Sequence, residues 1–273
     1  MQIDSSIFKA YDIRGIVDKT LTVEAARAIG QALGALAQEK HVDTLCVGRD
    51  GRLSGPKLSE ALISGITDMG INVKSIGMTP TPVLYFATFM TQTGSGVAVT
   101  GSHNPPEYNG LKMMMAKDTL FGEGIQALRA RIEAGITPTA NKGKVEEIDV
   151  ITPYLAKITA DVKLSRPMKV AIDCGNGVTG PVAMELFKRL GCEVTPLFTE
   201  IDGHFPNHHP DPSKPANLAQ LIETVKTTDV EVGLAFDGDG DRLGVVTKSG
   251  QIIFPDRQMM LFAADILEHI PHA

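Results

Sequence analysis

The chain has 273 residues, and at about 150 residues per domain this length predicts about two domains, long enough to bury real cores. Hydrophobic residues make up 43% and charged residues 21%, which excludes wholesale disorder. The 26 basic and 32 acidic residues leave a net charge of −6; that argues against a general nucleic-acid binder but still permits a local basic pocket for a small anion.

Thr22 is placed to cap a helix whose apolar positions (Ala25, Ala26, Ile29, Leu33, Leu36, Ala37) recur near the helical period. Residues 43–48 form a short apolar strand, followed by a polar glycine loop and a helix over about 56–69. Residues 71–77 and 96–101 read as further strands, and 109–115 as a returning strand or turn. Residues 135–147 mix Gly, Pro, Thr, Asn and charges and read as a connector. A helical stretch over 152–164 follows and ends before Arg166-Pro167. Residues 168–177 begin a second set of the same kind, and 232–236 form a buried strand. The alternation predicts an α/β protein: two successive three-layer α/β/α domains with mixed, largely parallel sheets. A weak internal repeat relates 47–56 to 171–181, each with Gly-Pro at a helix start. It is open to two readings, a duplicated domain or the common form of any βα unit.

Three cysteines, Cys46, Cys174 and Cys192, are scattered and form no C-x-x-C pair, so a reducing compartment is expected. The N-terminal residues lack a signal-peptide core, and apolar runs such as 83–90 and 259–267 fall short of a membrane span. A cytoplasmic protein without membrane contact is the expectation.

The strongest chemical signal is Asp237-Gly238-Asp239-Gly240-Asp241-Arg242, directly after the strand at 232–236. Open α/β sheets bind ligands at the carboxyl ends of their strands. The glycines let the three acids converge. Two such carboxylates ~4 Å apart repel by about 4 kcal/mol at intermediate dielectric, so the loop calls for a cation. Its all-oxygen donors suit Mg²⁺ or Ca²⁺. An EF-hand is excluded, because its sixth and twelfth positions are Arg242 and Lys248.

The second signal is residues 100–106, TGSHNPP, again at a strand end. Ser102 on a tight glycine turn beside His103 suits a nucleophile or a phosphoryl carrier, although a plain Asn-Pro turn reads the same way. Position 104 is Asn, so the G-x-S-x-G elbow is absent. Lys112 lies among apolar neighbours, which predicts a depressed pKa suited to proton transfer, or else a lysine on the wet face of an edge strand. Lys9, Tyr11 and Arg14 cluster near the N-terminus, with Arg14 able to fork a phosphate. The histidines His204, His208 and His209 fit no standard zinc spacing.

Taken in order, KAYDIRG (9–15), GRDGRLSG (48–55), TGSHNPPEYNGLK (100–112), DCGNGVTGP (173–181), FPNHHPDP (205–212), FDGDGDR (236–242) and PDRQMMLFA (255–263) resemble the α-D-phosphohexomutases. The branch they resemble is the bacterial phosphomannomutase/phosphoglucomutase group, and the TGSHNP form argues against the glucosamine-phosphate branch. The resemblance implies that hexose 1- and 6-phosphates interconvert through a phosphorylated Ser102 and a hexose 1,6-bisphosphate. It implies one Mg²⁺ held by Ser102, Asp237, Asp239 and Asp241, with Lys112 as general acid/base, His103 assisting and Arg242 neutralising charge. Tyr11, Arg14 and Lys9 would bind substrate.

The resemblance also implies a domain I over 1–149, a domain II over 150–251 and, from 252 to 273, only the start of a domain III. The missing C-terminal domains are then expected partners alongside hexose phosphates. The last helix would leave Met260, Leu261, Ala264 and Leu267 uncovered. Two other readings stand beside the mutase: a non-catalytic phosphosugar- and Mg²⁺-binding module, and a metal-dependent phosphatase.

Overall fold

A computed structural model describes residues 3–271. Its first sheet is built from β1 (Ile13–Ile16), β2 (Thr44–Arg49), β3 (Asn72–Met78), β4 (Gly96–Val99), β5 (Tyr108–Met115), β6 (Asp118–Thr119) and β7 (Val145–Glu147). The strand order is β1-β5-β4-β2-β3-β7, with β6 paired to β5. The strands β4, β2, β3 and β7 run parallel, while β5 returns antiparallel between β1 and β4.

Alternation along β2 sorts its side chains onto two faces. Leu45 and Val47 join the core beneath α1 (Val23–Glu39), α2 (Gly55–Asp68) and, further along the chain, α4 (Glu123–Ala134). Cys46 points the other way, into a smaller core with Val83, Leu84 and Ala87 of α3 (Thr81–Met90). Thr22 caps α1 as expected, its hydroxyl accepting from the Ala25 amide. The stretch 135–147 is more than a connector, because its last three residues pair with β3 as a parallel edge strand.

The second sheet contains β8 (Lys169–Asp173), β9 (Glu193–Leu197), β10 (Val232–Phe236), β11 (Leu243–Thr247) and β12 (Ile252–Ile253), in the order β12-β11-β10-β8-β9. Here β10, β8 and β9 are parallel and β11 and β12 antiparallel. Ile172 and Cys174 face Ala183 of α6 (Gly180–Arg189), whereas Ala171 and Ala235 face Leu221 and Val225 of α7 (Ala219–Thr227). Each sheet is thus covered on both sides.

The helix α5 (Ile151–Asp161) packs against both α3 and α6, with Tyr154 edge-on to Phe86 at 5.4 Å between centroids. The last helix, α8 (Pro255–His269), leaves Met260, Leu261, Ala264 and Leu267 exposed, as expected. Among the described residues no helix is long and apolar enough to cross a membrane.

Candidate active site

Two loops meet, one from each sheet. The first leaves the end of β4 and carries Ser102; the second leaves the end of β10 and carries the three aspartates. Both strands lie in the parallel part of their sheets, so both loops emerge at carboxyl ends, where backbone groups are free to meet a ligand. Contact between the loops is close: a side chain at Gly238 would place its Cβ 2.4 Å from the Ser102 carbonyl oxygen.

The Ser102 hydroxyl donates to Asp237 Oδ2 at 2.8 Å, and both residues are almost wholly buried. The other Asp237 oxygen accepts from the backbone amides of Asp241 and Arg242, each at 3.1 Å. Asp239 Oδ2 accepts from the Thr81 hydroxyl at 2.6 Å and from the Lys112 ammonium at 2.8 Å. Lys112 also pairs with Asp241. The Asp239 Oδ1 atom is buried and has no hydrogen-bond partner.

Burial and the neighbouring Asp239 and Asp241 carboxylates push the Asp237 carboxyl up to about 8. The expectation of a depressed Lys112 pKa is corrected. Burial does work against its charge, but Asp239 and Asp241 outweigh burial and raise the pKa, so Lys112 stands as a firm ammonium. Burial and the Arg242 charge lower the pKa of His103, whose Nδ1 lies 3.4 Å from Ser102 Oγ.

Ser102, His103, Lys112 and Asp241 border a cleft of about 680 Å³ that is also lined by Lys9, Tyr11, Arg14 and Arg242. The candidate mutase residues therefore lie in this cleft or, for the buried Asp237 and Asp239, hydrogen-bond to Ser102 and Lys112 of its lining. Their situations differ. Tyr11, Lys9 and Arg242 stand exposed on the rim. Arg14 is largely covered, and its fork donates to the Gly101 carbonyl at 2.7 Å and pairs with Asn104 and Asp12, so it braces the serine loop as well as facing the cleft.

The three aspartates offer carboxylate oxygens that all lie within 4.8 Å of one another. A hard divalent cation fits this set: the donors are oxygens only, and the buried Asp239 Oδ1 lacks any other partner.

Thr81 and Asp50 were missed in the sequence, and His208 was weighed there only as a zinc ligand. Thr81 holds Asp239 twice, through its hydroxyl and through its amide, which donates to the Asp239 carbonyl at 2.9 Å. Asp50 Oδ2 accepts from the Thr100 hydroxyl at 2.9 Å and the Gly101 amide at 3.0 Å. His208 grips both oxygens of buried Asp173, at 3.0 and 3.1 Å.

The family model for the α/β/α domain I of phosphoglucomutase/phosphomannomutase matches residues 5–139, and the model for domain II matches 152–250. The chain belongs to the phosphoglucomutase/phosphomannomutase family. It is 58% identical over 272 residues to a phosphoglucomutase of Neisseria meningitidis, covering 99% of this chain and 59% of that relative. With a phosphomannomutase/phosphoglucomutase of Pseudomonas aeruginosa it shares 53% identity over 271 residues, covering 99% of this chain and 58% of the relative. The crystal structure of a family protein from Burkholderia thailandensis superposes with a TM-score of 0.94 at 52% identity, over 98% of this chain and 60% of that one. The chain thus spans about three fifths of the length of these relatives.

Proposed function

We propose that this chain carries the phosphoryl-holding and metal-holding part of a hexose-phosphate mutase acting on mannose or glucose phosphates in the cytoplasm. Its units are the serine-loop domain over 1–149, the metal-loop domain over 150–251 and the first residues of a third. The observation that carries the reading is the 2.8 Å contact of Ser102 Oγ with Asp237 between two loops of different sheets. A nucleophilic hydroxyl is aimed at an acidic cluster, and the cluster suits a divalent cation.

In this reading Ser102 holds a phosphoryl group. Transfer breaks its Oγ–P bond and forms an O–P bond to the free hydroxyl of a hexose 1- or 6-phosphate. The bisphosphate then turns and returns its other phosphoryl group to Ser102. Asp237, Asp239, Asp241 and the oxygen on Ser102 would hold Mg²⁺, which would supply charge neutralisation to the phosphoryl oxygens.

The chain's own residues do the rest. Lys112 enters as an ammonium and supplies the proton that Ser102 Oγ gains as it loses phosphorus. His103, kept neutral at pH 7 by its lowered pKa, can accept the proton that leaves the sugar hydroxyl. Tyr11, Arg14, Lys9 and Arg242 surround the cleft with hydrogen-bonding and cationic groups for the second phosphate.

The test is a coupled assay for hexose 6-phosphate formed from hexose 1-phosphate. It compares this chain with the same chain extended by the C-terminal domains of a relative. The extended protein should turn over and its Ser102→Ala variant should not. Release of inorganic phosphate in place of isomerised sugar phosphate would show a phosphatase, and no reaction in the folded, extended protein would show a binding module.

A further inference from the structure

Ser102 has a backbone φ of +50°, a conformation unfavourable for any residue with a Cβ. Something must hold it there. The carbonyl oxygens of the serine loop converge on one side chain, Arg52, whose guanidinium has no solvent exposure. Its Nη2 donates to the Ser102 carbonyl at 2.9 Å and the Asn104 carbonyl at 2.6 Å. Its Nη1 donates to the Pro105 carbonyl at 2.6 Å and the Tyr108 carbonyl at 3.0 Å, and its Nε to Asp50 at 3.1 Å. All five N–H donors of a guanidinium are thereby used. The second-sheet side of the molecule closes the site, because the Phe205 ring, from the histidine-rich loop, stacks at 5.1 Å over the Arg52 Cζ.

We propose that Arg52, covered by Phe205, is a positioning residue that fixes the Ser102 loop and so aims the serine hydroxyl at the acidic loop; its catalytic consequence rests on the phosphoserine reading given above. Arg52 touches the Ser102 carbonyl and leaves the hydroxyl alone, so it acts through the backbone. Asp50 extends the same brace: it accepts from the Thr100 hydroxyl, whose oxygen accepts from the Ser102 amide at 2.8 Å. A lysine cannot replace this fork, since one ammonium has three donors and no planar spread. Phe205 makes the aim of the serine depend on the seating of the second sheet. The histidine-rich loop then serves as a cover between the two units rather than as a metal site.

Two measurements on wild type, Arg52→Lys and Phe205→Leu test this. The first is the ¹³Cα and ¹³Cβ shift of Ser102 in serine-labelled protein, which reports its backbone conformation whatever the chemistry is. Arg52→Lys should move these shifts toward those of an ordinary φ; unchanged shifts overturn the proposal. The second is single-turnover phosphorylation of Ser102 by glucose 1,6-bisphosphate with Mg²⁺. Arg52→Lys should lower the rate constant on the order of a hundredfold, with full labelling and an unchanged half-saturating concentration. Phe205→Leu should lower it about fivefold. A drop in amplitude at an unchanged rate constant would mean lost folded protein and would contradict positioning. If Arg52→Lys does not fold, Phe205→Leu carries both readouts, and wild-type shifts with a wild-type rate in that variant overturn the proposal. Wild-type protein that acquires no phosphoryl group would refute the phosphoserine reading, while the shifts decide the Arg52 brace separately.

Discussion

Thr81 and Asp239 are joined twice between the two sheets, hydroxyl to carboxylate at 2.6 Å and amide to carbonyl at 2.9 Å. Thr81 opens α3 of the first sheet, and Asp239 sits in the middle of the acidic loop of the second. One carboxylate oxygen is fixed by Thr81 and Lys112, which leaves the other, Oδ1, free for a cation. Groups that orient a metal ligand typically matter 10–100-fold in affinity. Thr81→Val should therefore weaken Mg²⁺ binding by roughly that factor, and Thr81→Ser should restore most of it. Calorimetric titration measures both.

Asp239→Asn should weaken Mg²⁺ binding more than either Thr81 variant, because it removes a charged oxygen donor outright. Equal affinities of Asp239→Asn and wild type by the same titration would count against the acidic loop as the cation site.

Mg²⁺ binding should depend on pH. The Asp237 carboxyl, pushed up to about 8 by burial and by its acidic neighbours, carries a proton at pH 7. A cation must displace that proton. Affinity should then rise with pH until about 8 and level off above it. Titrations at pH 7 in buffers of different ionisation enthalpy should show proton release; an affinity flat between pH 6 and 8 would contradict this account.

The His208–Asp173 pair gives a stability prediction of opposite pH sense. Burial opposes the imidazolium, but hydrogen bonding and attraction to Asp173 prevail and raise the His208 pKa. A group with a raised folded pKa contributes fully below its unfolded value of about 6.5 and loses the contribution as pH rises through the folded value. His208→Gln should therefore lower the thermal midpoint most near pH 6 and progressively less at higher pH. A midpoint difference that grows with pH would refute the pairing.

The helices α1 and α2 cross with their backbones in contact. A Cβ on Gly65 would fall 2.0 Å from the Arg27 carbonyl oxygen, and one on Gly30 would fall 2.2 Å from the Leu62 carbonyl oxygen. Backbone cannot swing aside as a side chain can. Gly65→Ala should cost about 1–3 kcal/mol, read as a lower urea midpoint with the slope unchanged.

The three aspartates were legible in the sequence because acids interleaved with glycines at a strand end have few other uses, whereas Ser102, on a turn that also reads as plain Asn-Pro punctuation, was legible only together with them. Strands β2, β3, β4, β5, β8 and β10 and helices α1, α2 and α5 were legible from their apolar runs and periods, whereas β1, β6 and β11 were not read. Thr81, Asp50 and Arg52 were not, since each works through partners distant in sequence or through backbone carbonyls, and none leaves a local pattern. The edge strand β7 was hidden for a related reason: three exposed residues, Val145–Glu147, become a strand only because β3 offers an edge. Lys112 misled because its sequence neighbours are apolar, whereas its spatial neighbours are Asp239 and Asp241.

The most direct measurement of the central claim is intact-mass and peptide mass spectrometry of the chain after incubation with glucose 1,6-bisphosphate and Mg²⁺. One phosphoryl group on Ser102 in wild type, and none in Ser102→Ala, is the predicted result. Phosphorylation that persists undiminished in Ser102→Ala, or wild-type protein that stays unmodified, would contradict it.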